Sequence, residues 1–256
     1  EAGKAVYYNA PVIIIKSTDF GEADKLVTVF SEQYGKLRAV ARGIKKPKSS
    51  LRSCVQPFCY SQLHFYQGRD LELITQGRLL DFFGNAREDL ERTLYCVYLM
   101  ELLDKSLMDR MPVPGLFPLT LETLRAINNW GLNPLLIRRF ELNLAIHLGY
   151  RPVLERCAAC GQNQALAGFS LAEGGMVCRE CAAAKSGSLI NLSGESLAIL
   201  RQLEKAGTAM LERLKASDQA LEQMEYFLEQ YLQYFLERQF KLKETIRQLK
   251  PSRRLH

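Results

Sequence analysis

Four cysteines carry the most legible chemistry in this chain. Cys157 and Cys160 form one C-x2-C pair, Cys178 and Cys181 a second, and the gap between them falls in the window of about 15 to 20 residues that separates the two knuckles of a zinc site. Each pair presents two thiolates, and together they supply the four soft tetrahedral ligands that Zn2+ prefers. Gly161, directly after the first pair, offers the backbone freedom such a knuckle uses. A redox dithiol or a chance spacing are the alternatives, but a thioredoxin-like site needs one C-x-x-C in a βαβ context, not two. Four thiolates leave no coordination position for an activated water, so one Zn2+ per chain is expected as a structural cofactor, not a catalytic one. Residues 155–186 are poor in core-forming side chains and rich in Gly, Ala and Cys, so this segment needs a staple other than an apolar core. The chain has seven cysteines. An odd number argues against a disulfide framework, and Cys54, Cys59 and Cys96, in apolar surroundings, are expected to be inert packing residues.

Phosphate binding is the second chemistry the residue types offer. Between Lys36 and Arg52 stand Lys36, Arg38, Arg42, Lys45, Lys46, Lys48 and Arg52 with no acid among them, in a chain of formal net charge +6. Such a run repels itself unless phosphates or counterions relieve it, which points to a polyanion. The strand period of two puts Lys36, Arg38, Val40 and Arg42 on one face and Leu37, Ala39 and Ala41 on the other: one face is cationic, the other is core. Gly43 then opens a polar, basic loop. A cationic strand face that continues into such an arm follows a sugar-phosphate backbone without demanding a base sequence. A second basic cluster closes the chain (Arg238, Lys241, Lys243, Arg247, Lys250, Arg253, Arg254, against Glu244); a solvated tail and a further phosphate contact both remain open for it. Phe58, Tyr60, His64 and Tyr66 share one strand parity. Filling the barrel is the preferred reading and a stacking platform the alternative, with Tyr66 and Gln67, near a turn, at the exposed end.

Catalytic signatures are missing from the sequence: it has no GxxxxGK[ST], no GxGxxG, no HExxH and no GxSxG. A zinc deaminase needs an HxE upstream of its C-x-x-C, and neither His64 nor His147 has a Glu two residues on. No catalytic residues are assigned, and a non-enzyme is expected. A zinc-dependent hydrolase remains the weakest alternative, and a zinc-containing protein-protein adaptor without direct nucleic-acid function the stronger one.

The elements that must position these groups read as follows. A length of 256 residues with 47% apolar side chains suits about two globular domains. No apolar run approaches the ~18 residues of a membrane span, and no leader pattern marks the first residues, so the cytoplasm is the expected compartment. Short strands are expected at Val12–Lys16, Leu26–Phe30, Leu37–Arg42, Phe58–Tyr66 and Leu71–Thr75, separated by turn signals at Gly21, Gly35 and Gly68. Five such strands in about 75 residues suit a small barrel, with an OB-fold leading. From Asn85 the period changes to three and four. A helix is expected over 85–108, capped by Asp81 or Asn85, then Leu116–Trp130 and Pro134–Leu148, and a further helix carrying Leu221, Met224, Leu228, Tyr231 and Phe235. The expected fold is thus α+β: an OB-fold β-barrel, residues 1–80, followed by an α-helical domain, residues 81–256, with the four-Cys zinc knob 155–186 inserted.

The run Asp19-Phe20-Gly21-Glu22-Ala23-Asp24-Lys25-Leu26-Val27-Thr28-Val29-Phe30, continued by Tyr34-Gly35-Lys36-Leu37-Arg38-Ala39-Val40-Ala41-Arg42-Gly43, resembles the RecO family of bacterial DNA repair and recombination mediators. The order barrel, helical middle, four-cysteine knob and helical C-terminus is similar to that family's. The resemblance implies an accessory protein of the RecF pathway, without ATPase or nuclease activity. It would bind single- and double-stranded DNA, anneal complementary strands and act at the nucleoid. Implied partners are RecR, the C-terminal tail of the single-stranded DNA-binding protein and, indirectly, RecA. The family's DNA surface would map onto Lys36, Arg38, Arg42, Lys45, Lys46, Lys48 and Arg52. Not every member keeps the cysteines, so the metal is scaffold within the family as well. Arg138 and Arg139, beside Leu135, Leu136 and Phe140, are of the type that holds an acidic tail ending in an aromatic residue, or an ordinary surface pair.

Overall fold

The computed structural model describes residues 6–46, 49–163, 165–184 and 187–249. Its first element, β1 (Tyr7–Phe20), is followed by β2 (Asp24–Ser31), β3 (Gly35–Ala41), a 3-10 turn (Ser53–Val55), β4 (Tyr60–Tyr66) and β5 (Glu72–Asp81). The strands close into a barrel of order β1-β2-β3-β5-β4, the OB-fold architecture. All its pairings are antiparallel except β3 with β5. Alternation builds the core: Val12, Ile14, Val27, Val29, Leu37, Ala39, Ala41, Leu63, Phe65 and Ile74 point inward. β1 is far longer than the apolar run Val12–Lys16 suggested, because it serves two neighbours. Its first half pairs with β4 from Tyr7↔Tyr66 to Ile13↔Tyr60, its second half with β2 from Val12↔Ser31 to Phe20↔Asp24. Ladder hydrogen bonds hold its polar ends in the sheet where hydrophobicity gives no signal.

The long connection after β3 is seated by its own apolar residues. Leu51, Cys54 and Val55 join the barrel core, and Gly77 on β5 makes room for them. A Cβ there would lie 2.8 Å from Leu63 Cδ2 and 2.9 Å from Leu51 Cδ2. Phe58, expected within a strand, instead sits before β4 at φ +52° and is buried.

Past the barrel the expected helix 85–108 is two elements, α1 (Gly84–Arg87) and α2 (Leu90–Ser106). The break has a local cause. Asp89 leaves helical geometry, and its carboxylate accepts the Arg92 amide at 2.8 Å, so Asp89 caps α2 in place of Asp81 or Asn85. Arg87 fastens the join. Its guanidinium lies 3.8 Å from the Phe58 ring centroid and 4.1 Å from that of Phe82, and it donates to the carbonyls of Phe82 and Pro57, both at 2.7 Å. Arg87→Ala removes two cation–π faces and orphans those carbonyls, at a cost of about 2 to 4 kcal/mol. The expected result is a thermal midpoint roughly 5 to 15 °C lower by calorimetry; a midpoint within two degrees of wild type would refute this role.

α3 (Leu116–Trp130) follows the expected span, and α4 (Pro134–His147) starts at its Pro as expected. The chain divides into two compact units, residues 1–132 with 240–256, and residues 133–239. The first holds the barrel, α1 to α3 and α9 (Lys241–Leu249). The second holds α4, the hairpin β6 (Leu166–Ser170) and β7 (Gly175–Cys178), α5 (Arg179–Ala184), α6 (Gly194–Leu203), α7 (Thr208–Leu211) and α8 (Asp218–Leu236). In the second unit α8 is buried on several sides through Met224, Phe227, Leu228, Tyr231 and Leu232. Phe169 of β6 packs edge-on against Phe227, with centroids 4.6 Å apart, which seats the hairpin on the helices. No helix among the described residues is long and apolar enough to cross a membrane.

Candidate nucleic-acid interface and metal centre

β3 presents Arg38 outward as the period of two requires: Leu37, Ala39 and Ala41 are buried, while Arg38, and Arg42 just past the strand end, are exposed. The surface is not, however, free of acid. After α2, residues 107–113 cross the start of β3. Arg110 donates its amide to the Lys36 carbonyl at 2.8 Å, and Gly35 at φ +68° has the Met111 backbone where its Cβ would be, 2.4 Å away. This crossing brings Asp109 to 3.4 Å from both Lys36 Nζ and Arg38 Nε. Lys36 also donates to the Asp104 carbonyl at 2.9 Å, and its side chain is only 12% exposed. Lys36 is therefore a fastener of the crossing segment more than an open cation, whereas Arg38, 53% exposed, faces solvent.

The basic loop divides in the same way. Arg52 donates to the carbonyls of Lys45 and Lys46, at 2.9 and 3.1 Å, and so holds the loop closed. Gly43 donates its amide to Asp24 at 2.8 Å. Lys45 pairs with Asp19 at 3.1 Å, both side chains exposed, an arrangement worth little in water. Arg42 and Lys46 are exposed and form no ion pair among the described residues. Lys48 lies outside the described residues. Of the seven sequence candidates, Arg38, Arg42, Lys45 and Lys46 thus share one open surface, and Lys36 and Arg52 support it. The acids that oppose the run come from distant parts of the chain, so no local reading could find them.

Other expectations resolve individually. His64 is exposed on β4 and His147 ends α4. Tyr60 lies against Phe117, centroids 6.3 Å apart, while Tyr66 stays at the surface beside Tyr7, which is 68% exposed. Burial pushes the Cys59 thiol up to about 11 and the Cys96 thiol up to about 12, so both stay protonated packing residues. Arg138 is not a surface arginine. Its side chain is 3% exposed, with Nε 3.1 Å from Glu141 and Nη1 3.7 Å from Glu225, a buried ion pair that leaves it unable to receive a tail. In the C-terminal cluster Lys243 is buried, its ammonium 5.8 Å from the Tyr98 ring centre. Lys250, Arg253 and Arg254 lie outside the described residues.

The four cysteines converge. Cys157 and Cys160 come from the turn before β6, Cys178 ends β7, and Cys181 follows in α5. Their sulfurs all lie within 4.8 Å of one another, and Cys160 Sγ stands 3.8 Å from Cys178 Sγ. That equals the edge, about 3.8 Å, of a tetrahedron with metal–sulfur bonds of ~2.3 Å. Gly161 takes φ +78° and returns its amide to the Cys157 carbonyl at 2.8 Å, closing the first knuckle as expected. The Cys181 amide points at Cys178 Sγ, 3.5 Å away, a second-sphere contact that favours the thiolate. Burial raises the Cys157 thiol, but amides of Cys178, Cys160 and Ala159 outweigh it and bring it down to about 6. Cys181 is pushed up to about 12 by the side chains of Cys178 and Cys160. Four thiols this close cannot all ionise without a cation among them. The cluster can hold a metal ion, with every ligand position filled by sulfur.

Comparison with known proteins bears on both sites. Residues 6–83 match the family described as recombination protein O N terminal, and residues 87–244 the family described as recombination protein O C terminal. The DNA repair protein RecO of Syntrophomonas wolfei is 53% identical over 247 residues, covering 96% of this chain and 98% of that one. That of Desulforamulus reducens is 34% identical over 247 residues, 96% of each. That of Pelotomaculum thermopropionicum is 37% identical over 237 residues, 91% of each.

Proposed function

This chain belongs to the recombination protein O family, with a role in DNA repair and recombination, and on that premise we propose that it binds single- and double-stranded DNA on the barrel and anneals complementary strands. The reading continues to its partners: RecR, the C-terminal tail of the single-stranded DNA-binding protein and, through them, RecA, whose loading onto coated DNA it would assist in the cytoplasm, at the nucleoid. In this reading the barrel, residues 1–80, grips DNA. The helical part, residues 81–256, engages proteins, and Zn2+ on Cys157, Cys160, Cys178 and Cys181 folds the knob without reacting. The protein would be a binder and not an enzyme.

One observation carries the proposal. The exposed face of β3 leads, through Arg38 and Arg42, into Lys45 and Lys46 on a loop whose shape is held by internal carbonyl contacts. A pre-shaped cationic surface of this kind neutralises phosphates on two strands and lowers the repulsion that slows their encounter. Three to four phosphate contacts predict a log–log salt slope for single-strand affinity of about −2 to −3, measured by fluorescence anisotropy of a labelled oligonucleotide. The protein should also accelerate annealing of complementary oligonucleotides at low salt. A slope near zero, or annealing at the uncatalysed rate, would overturn the proposal and leave the adaptor reading.

A further inference from the structure

The outer face of the barrel continues beyond β3. In register, Val40 of β3 lies beside Leu73 of β5, Leu73 beside Tyr66 of β4, and Tyr66 beside Tyr7 of β1. The rows next to it run Asn9–His64–Gln76 and Pro11–Gln62–Arg78. With strands about 4.8 Å apart, this band crosses roughly 14 Å of open sheet from the arginines flanking Val40 to Tyr7. Tyr7 and Tyr66 have ring centroids 5.1 Å apart, tilted by 55°, and Tyr7 is 68% exposed with Val6 beside it at 48%. Their inward neighbours Tyr8 and Phe65 stack in the barrel, 5.2 Å apart, so the two outer rings are not needed to fill the core. None of the outward residues named in these rows, nor Arg38 and Arg42, is acidic.

Aromatic rings at the surface of one end of this face, with arginines at the other, one of them paired to Asp109, match a polymer that is anionic along its backbone and flat in its side groups. We infer that Tyr7 and Tyr66 form a base-stacking platform for single-stranded DNA, continuous with the Arg38–Arg42 edge. The inference deepens the DNA-binding reading and rests on it. Duplex DNA keeps its bases stacked on one another and gains nothing from the platform, so Tyr7 and Tyr66 discriminate single strands from duplex.

The test is Tyr7→Ala/Tyr66→Ala in the full chain, titrated with a single-stranded oligothymidylate and with a duplex of equal length. Single-strand affinity is expected to fall about tenfold or more, with the salt slope unchanged because no cation is lost and duplex affinity within twofold of wild type. Tyr7→Phe/Tyr66→Phe, which keeps both rings, should bind single strands as wild type does. Undiminished single-strand binding by the alanine variant, equal losses on single strand and duplex, or the same loss in the phenylalanine variant would each overturn the platform. If wild type itself retained no oligonucleotide in dilute buffer, the DNA-binding reading would fall first, and the platform with it.

Discussion

Cys178→Ser, or exhaustive chelation of the wild type, should unfold the cysteine segment while the barrel stays folded. Beyond Phe169, seated on Phe227, and the buried Met176, the segment has little else to hold it: the apolar cluster at the cysteines consists of Cys157, Val177 and Cys178, with Leu166, Cys181 and Ala182 packed around them. Against this stands a metal-binding free energy of about 10 to 16 kcal/mol for four-ligand zinc sites in small peptides, comparable to the ~5 to 15 kcal/mol that stabilises a whole domain. Zinc is the metal expected, because four thiolates at tetrahedral spacing suit a soft ion of that geometry. Two measurements decide. Metal analysis should give one ion per chain in wild type and far less in the variant. Hydrogen exchange should show loss of protection at the amides of Phe169 and Met176, which donate to Ile190 and Val153, while β4 amides keep theirs, since the barrel core draws on none of these residues. A metal-free protein with the hairpin still protected would mean that the cluster is not a structural metal centre.

Reversing Arg42, Lys45 and Lys46 together to Glu should lower single-strand affinity about 100-fold at 0.1 M salt. Each phosphate contact on a single strand contributes about 0.7 to the log–log slope, so three lost contacts remove roughly two decades at that salt and about 2 from the slope. These three are chosen because each is exposed and none has a buried partner. Lys36 and Arg52 are left alone: one fastens the segment after α2 and the other closes the loop, so their loss would confuse binding with folding. Anisotropy titrations at several salt concentrations, with a thermal melt to verify the fold, give the answer. A folded variant with wild-type affinity would remove the loop from the interface.

Both sites were legible in the sequence to different depths. The four-cysteine cluster was complete there, because thiol chemistry and two short spacings determine it and the chain between the pairs only has to return. The cationic face of β3 was equally visible, since strand parity is a local rule. Its partial neutralisation was not: Asp109 reaches Lys36 and Arg38 only because the segment after α2 folds back across Gly35, a tertiary event with no periodic signature. A local signal did exist at Arg138, where Glu141 three residues on marks an ion pair on one helix face; only its burial under α8 was hidden. The ends of β1 were readable too. Tyr7, Asn9 and Pro11 alternate with Tyr8, Ala10 and Val12, a pattern obscured by the polarity of the outward set. Extending that alternation backward would have brought Tyr7 into view.

The carboxylate between Lys36 and Arg38 is an internal counterion that travels with the protein. In the proposed reading, a phosphate arriving at Arg38 must evict this tethered anion instead of releasing a mobile one into the buffer, so that contact adds little to the salt slope and gains little free energy. It is also readily undone, because the displaced group never diffuses away and recaptures its arginine as soon as the strand lifts. A grip whose leading edge carries its own competitor is suited to passing a strand onward more than to storing it.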